Sequence, residues 1–272
     1  MKILISVDME GIWGLVSWAE PQEKISYFVT KEVKLVIDQL FRHSKSAKIV
    51  VVDSHALGYN IIPDQLPDRV SLVRGFPRQF YMMETIDSSY DACMFIGYHA
   101  PIGKSPGQMD HSYSSGSFYE VAINGKIVGE AEINGLLASY FNVPVILISG
   151  DDVLKRFSNS HFPKTEFVVT KRAISRFSAE LLPYSEVQES FSRAIEKALD
   201  NLKNIPPMEM TPPFTIEIAT NDTLIAYLIS QIPGASLIDG RKVSFNSSDY
   251  REIYKFLMVA SYLGWVSKRL QN

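Results

Sequence analysis

Four short apolar runs limit what this chain can fold into, because each ends in polar residues of an unusual kind. Lys2–Asp8 closes on an acid and continues to Glu10. Lys48–Asp53 runs into Ser54-His55, Ala92–Gly97 into Tyr98-His99, and Val143–Ser149 into Gly150-Asp151-Asp152. Runs of this length without polar alternation are strands buried on both faces. Between the first two lies a helical stripe, Val33, Val36, Ile37 and Leu40 in the span Tyr27–His43. Strand, helix, strand at this spacing predicts a βαβ unit with parallel strands. Ligands of open α/β sheets bind outside the carboxyl ends of the strands, so these polar clusters converge on one sheet edge.

The remaining pattern fits the same class. Tyr119–Ile123 and Lys126-Ile127-Val128 flank Asn124-Gly125, a hairpin signal. Glu130–Phe141 reads as a helix with Ile133, Leu136, Leu137 and Tyr140 on one stripe, and Ser71–Val73 as a short strand. Asp151 or Asp152 is placed to cap a following helix. Past about residue 160 the alternation loosens. Helices are expected over Ser185–Leu202, Asp222–Gln231 and Tyr250–Leu270, with strands at Phe214–Ala219 and Lys242–Phe245. The fold class is therefore α/β: a mainly parallel sheet flanked by helices, the metal site at the strand ends, plus a C-terminal α+β part. The proline-rich stretch 206–213 is the candidate boundary, giving 1–205 as catalytic part and 206–272 packed on it, or one continuous domain.

Composition narrows the chemistry. A net charge of −3 provides no basic field for nucleic acid, and no apolar run is long enough to span a membrane. The N-terminus meets Asp8 too early for a signal peptide. These features point to a cytoplasmic globular protein. Cys93 is the single cysteine, which excludes an internal disulfide and a thiolate-rich zinc site. Any metal must be held by the histidines and carboxylates.

Taken one at a time, the polar residues have ordinary readings. Asp8 could end a strand, His55 and His99 could be capping or core histidines, and His111 could be loop polarity. Glu130 could be a first-turn helix acid, with Glu132 as competitor for any role it has. His43 reads as a helix-end residue and His161 as loop. Taken together they make a metal site. Asp8 and Glu10, two apart, share a face in extended chain. His55 and His99 add nitrogen, and Glu130 a third carboxylate. One ion would leave some of these five unused; two ions sharing a carboxylate would use them all. Peptidases, phosphatases and nucleases all use such pairs.

The segments Ser6-Val7-Asp8-Met9-Glu10-Gly11, Asp53-Ser54-His55, Gly97-Tyr98-His99-Ala100, Met109-Asp110-His111-Ser112, Val128-Gly129-Glu130 and Ser149-Gly150-Asp151-Asp152 stand in the order and spacing of one family. The chain resembles the DppA-like D-aminopeptidases, self-compartmentalising dizinc peptidases, from the first strand to about residue 152. The resemblance implies an α/β fold and two Zn2+ per subunit, with Mn2+ or Co2+ able to take the same ligands. The implied ligands are Asp8, Glu10, His55, His99 and Glu130, with Asp8 as bridge. His111 matches the family's non-ligand catalytic histidine. The implied activity removes the N-terminal residue, of D configuration, from short peptides, and the implied assembly is a ring-based homodecamer.

Some positions depart from the family pattern. The segment 12–20, with Trp13 and Trp18, does not align and is expected to line or flank the site. Asp110 replaces a usual small polar residue, and the loop 101–107 differs in detail. Two other readings compete. One is a dimetal hydrolase of another class, a phosphoesterase or amidohydrolase; a phosphoesterase would need an anion-binding loop or clustered arginine, and Arg74 and Arg78 are the nearby candidates. The other is a non-catalytic, metal-stabilised assembly.

Overall fold

A computed structural model describes residues 1–270. In chain order the elements are β1 (Lys2–Val7), α1 (Gln22–His43), β2 (Lys48–Asp53), β3 (Val70–Val73), β4 (Ala92–Tyr98), β5 (Phe118–Ile123), β6 (Lys126–Ile127), α2 (Glu130–Tyr140) and β7 (Val145–Asp151). The second half contains α3 (Asp152–Ser158), β8 (Glu166–Ser175), β9 (Ser178–Leu181), α4 (Tyr184–Asp200), β10 (Phe214–Thr220), α5 (Thr223–Ser230), β11 (Ser236–Asp239), β12 (Lys242–Ser247) and α6 (Tyr250–Leu270). Among these, no helix is long and apolar enough to cross a membrane.

The first sheet has strand order β3-β2-β1-β4-β7-β8-β9 and is parallel except for the β8–β9 hairpin. Its two faces lie in two cores, which explains the uninterrupted apolar runs. Along β1, Ile3, Ile5 and Val7 point into one core with α1 and α4, and Leu4 points into the other with α2 and α6. The predicted stripe of α1 is buried as expected, with Arg42 and His43 in its last turn, where the helix dipole favours positive charge. The second sheet, order β11-β12-β10-β5-β6, is antiparallel. The expected hairpin at Asn124-Gly125 is its β5–β6 turn. β10 pairs with β5 on one side and β12 on the other, so strands from both sides of 206–213 share one sheet. The hairpin β8–β9 and the strand β11 have no counterpart in the sequence reading. β8 is half exposed and carries Lys171 and Arg172, so no apolar run marks it.

The strand order reverses between β1 and β4, which are hydrogen-bonded neighbours. That is where a crevice opens in such sheets. The chain leaving β1 stays bonded to β4: Asp8 N–H donates to the Ile96 carbonyl at 2.8 Å and Gly11 N–H to the Gly97 carbonyl at 2.7 Å. The approach is too close for side chains. A Cβ on Gly11 would lie 2.0 Å from the Tyr98 carbonyl oxygen, and Gly97, at φ +74°, would place one 2.4 Å from the Asp8 carbonyl oxygen.

Glu32 of α1 braces the same loop from below. Its Oε2 accepts the Trp13 N–H at 2.9 Å, while its Oε1 is buried without a partner. Burial pushes the Glu32 carboxyl up to about 7. Its contribution to stability is then fully present below its ordinary value of 4.5 and is lost as pH rises through about 7. Glu32→Gln keeps an acceptor for Trp13 and removes the titration. Its stability relative to wild type should rise between pH 4.5 and 7, by at most about 3 kcal/mol, and level off above. Denaturant melts across that range check this, and a pH-independent difference contradicts it. Gly11→Ala should cost about 3 kcal/mol or more, read as a fall in melting temperature, because backbone must move to admit the methyl group.

Candidate metal centre

Asp8 stands just past the end of β1 and Glu10 two residues on, both buried. The Asp8 Oδ1 accepts the Met9 N–H at 2.9 Å and lies 3.2 Å from the Nδ1 of His55. Its Oδ2, without a hydrogen-bond donor, lies 3.4 Å from the Nε2 of His99. Asp8 thus turns one oxygen to each imidazole. Glu10 Oε1 is 3.2 Å from His55 Nδ1, and Glu130 Oε1 is 3.4 Å from His99 Nε2.

Each histidine is held by backbone. His55 follows Ser54, whose N–H donates to the Val7 carbonyl. Asn60 Nδ2 donates to the His55 carbonyl at 2.9 Å. Asp53 is an anchor: its carboxylate accepts from the N–H groups of Asn60 and Ile61 and from Asn60 Nδ2. His99 Nδ1 lies 2.9 Å from the Ala100 carbonyl, and His111 Nδ1 3.0 Å from that of Met109. Donation at those atoms leaves both Nε2 lone pairs directed into the site. The His111 ring stacks on His99 with centroids 4.2 Å apart and planes 11° apart, and its Nε2 is 3.6 Å from Glu130 Oε1.

Glu130 opens α2, in the layer that carries the second sheet. Its Oε1 accepts the Tyr113 N–H at 2.6 Å. Glu132, its sequence competitor, points elsewhere: it accepts from Gly129 N–H and Ser158 and lies 3.6 Å from His161. Asp151 is the expected cap, accepting the Leu154 N–H of α3 at 2.7 Å, and it also takes the Gln108 N–H. His43 lies at the end of α1, away from the centre.

The charges interlock. Burial works to raise Glu10, yet His55, His111 and His99 hold its carboxyl well below the usual range. Burial likewise opposes the lowering of Glu130, which His99 and His111 impose. Asp8 is raised, by burial first and then by Glu10. Burial works to lower His55 and His99, but the carboxylates drive both well up. His111 alone among the three is lowered, by burial and by His99.

Five groups of the sequence-derived set, with His111, therefore face one space. Within it, Asp8, Glu10 and His99 bring ligand atoms within 4.8 Å of one another, as do His99, His111 and Glu130. Asp8 Oδ2, Glu10 Oε2 and His99 Nε2 are buried and make no hydrogen bond in the protein, and this set of oxygen and nitrogen ligand atoms fits a divalent cation. The hollow above them is about 450 Å³, walled by Trp18, Ala56, Tyr81, Tyr113, Trp265 and Lys268. No arginine lines it among the described residues; Arg78 instead donates to the Asp53 carbonyl, and Arg74 sits over the ring of Tyr59.

Four residues around the centre carried no sequence signal. Lys171 on β8 is fully buried, and its ammonium reaches the carbonyls of Glu10 and Leu15. Burial lowers it to about 8. Asn134, one turn after Glu130, donates to Tyr98 and accepts from Tyr113 and Tyr254. Trp265 and Lys268 come from the last helix, whose sequence reads only as amphipathic.

Residues 1–259 match the D-aminopeptidase family. A D-aminopeptidase of Bacillus subtilis (strain 168) is 30% identical over 276 residues, covering 97% of each chain. The structure of the Zn-dependent D-aminopeptidase DppA from Bacillus subtilis, a self-compartmentalizing protease, is similar with a TM-score of 0.92 at 28% identity, over 97% of this chain and 98% of that one. With the family matched over residues 1–259 and a 30% identical relative aligned over 97% of both chains, the chain belongs to the D-aminopeptidase family.

Proposed function

We propose that this chain is a zinc aminopeptidase that removes the N-terminal residue, of D configuration, from short peptides or amides. The observation that carries the reading is the Asp8–Glu10–His55–His99–Glu130 cluster, buried but for the edge of His55, whose ligand atoms without hydrogen bonds fit a divalent cation. Asp8, with one oxygen toward His55 and the other toward His99, suits a carboxylate shared by two ions. Asp8, Glu10 and His55 would hold one ion, and Asp8, His99 and Glu130 the second. Zinc supplies, when bound, polarisation of the scissile carbonyl and a water acidified to a pKa of about 7. Mn2+ or Co2+ would accept the same donors.

The protein's own groups do the rest. His111, lowered by burial and by His99, is neutral near pH 7 with its Nε2 lone pair facing the site. It is suited to take a proton from the attacking water and pass it to the leaving amine. Its stacking on His99 fixes the ring for that transfer. Trp18, Tyr81, Tyr113 and Trp265 line the hollow in which the substrate would sit. A second reading, His111 as a ligand, is favoured by its grouping with His99 and Glu130.

The proposal extends to a cytoplasmic, ring-based homodecamer with its sites facing an inner chamber. The family membership and the self-compartmentalizing relative support it, and a single buried Cys93 suits a reducing compartment.

A panel of D- and L-aminoacyl p-nitroanilides against p-nitrophenyl phosphate tests the activity. Turnover of D-aminoacyl substrates by zinc-loaded protein is expected; turnover of the phosphate ester alone would overturn the reading. Glu10→Ala and His55→Ala should each lose zinc stoichiometry and more than about 100-fold in kcat/KM, exceeding the losses typical of outer-shell partners. His111→Ala should keep both ions while kcat falls about 10²–10⁴-fold; loss of one ion instead would make His111 a ligand. Light scattering should give a mass near ten times the 30.7 kDa chain.

A further inference from the structure

Trp18 stands in the segment 12–20 that sequence reasoning could not align, and it makes two contacts with the centre. Its indole N–H donates to Glu10 Oε1 at 2.6 Å. Its ring meets His111 edge to face, with centroids 5.4 Å apart and planes at 85°. His111 is therefore held between the edge-on indole and the stacked His99 ring. Glu10 has a second oxygen, Oε2, buried without a partner, while Oε1 lies 3.2 Å from His55.

Trp18 is itself fixed. Phe177, in the β8–β9 turn, packs against its ring at 5.5 Å, and the Arg176 guanidinium lies 5.6 Å from the ring centroid. Arg176 also donates to the Asp110 carbonyl at 2.9 Å and pairs with the Asp110 carboxylate at 3.4 Å. The adjacent Met109 N–H donates to the Arg176 carbonyl at 2.7 Å. Gln108 Nε2 spans the Val16 and Arg176 carbonyls. The indole thus joins three pieces of chain: the loop after β1, the loop carrying His111, and the β8–β9 turn. Asp110 forms the link to Arg176.

We propose that Trp18 is a positioning residue of the metal centre: its N–H sets the orientation in which Glu10 presents its oxygens, and its ring holds His111 against His99. A carboxylate can offer one oxygen or two to a cation. A donor fixed on Oε1 removes the rotation between those states before any ion arrives. Partners of ligands tune metal affinity in this way. The inference rests on Glu10 as a ligand, so Glu10→Ala is the control that separates the two.

Trp18→Phe keeps an aromatic ring in the wall and removes the donor. Zinc affinity, measured by competition with a chromogenic chelator, should weaken about 10–100-fold, and kcat at saturating zinc should fall more than KM changes. Indole emission gives a readout independent of turnover. Zinc should change the emission of wild type and of Trp265→Phe, and that change should vanish when Trp18→Phe is combined with Trp265→Phe, since Trp265 also lines the hollow. The proposal is overturned if the double variant retains the emission change, or if Trp18→Phe binds zinc within twofold of wild type. Should that variant not fold, as judged by circular dichroism, Trp265→Phe carries the test: no zinc-dependent emission change there overturns the proposal. If Glu10→Ala also binds zinc normally, the ligand assignment falls; if it loses zinc while Trp18→Phe does not, only the positioning role falls.

Discussion

Three buried carboxylates meeting the buried His99 and the partly buried His55 and His111 at one sheet edge are the constraint on which the rest of the molecule depends. Buried charge is tolerated only where partners surround it, and an unpaired member costs several kcal/mol. Asp8, Glu10 and Glu130 answer this with His55, His99 and His111, each at contact distance from at least one carboxylate. Such a cluster keeps its geometry only if the backbone beneath it is rigid. The close packing of Gly11 and Gly97 against β4 and β1 supplies that floor. Lys171 adds a brace from β8, its ammonium satisfied by carbonyls of the loop it secures.

Glu130 poses a separate problem, because it comes from α2 and the other layer. Its place depends on how that layer seats on the first sheet. Asn134 fixes the seat, since it lies one turn beyond Glu130 and uses both ends of its amide. The amide nitrogen donates to Tyr98 at the end of β4, while the oxygen accepts from Tyr113 and from Tyr254 of α6. Tyr98 continues to Ser6, and Ser6 to Ser54, the residue before His55. One buried chain of hydrogen bonds thus connects the strand carrying His99, the helix carrying Glu130 and the turn carrying His55. Fully satisfied networks of this kind specify a single arrangement where apolar packing would allow several.

The strands and their polar ends were legible because a doubly buried strand writes itself as an apolar run, and because polar residues at its end have few reasons to be there. The βαβ spacing then sent Asp8, His55 and His99 to one edge without any contact being known. Choosing Glu130 over Glu132 was beyond periodicity alone: both lie in the first turn of α2, and only the Tyr113 N–H and the facing His99 distinguish them. Lys171 was invisible because a lysine in a half-exposed strand reads as surface, and its burial depends on the loop that folds over it. Trp265 and Lys268 were invisible for a related reason. An amphipathic stripe says which face of α6 meets the core, but not that its far end reaches the site.

The same geometry separates peptide from phosphate chemistry. The three carboxylates proposed to hold two dications leave about one net positive charge. The scissile amide itself is neutral, and its oxygen acquires a single negative charge as water adds and gives up a proton to His111, which this balance is suited to stabilise. A phosphate monoester brings about two negative charges at the outset, and sites that bind it commonly add arginine forks. Lys268 is the one lysine or arginine among the residues described around the hollow. Arg78, the better placed of the two arginine candidates, is turned to the Asp53 carbonyl and supports the His55 turn. It steadies the turn that carries His55, and no arginine lines the wall among the described residues.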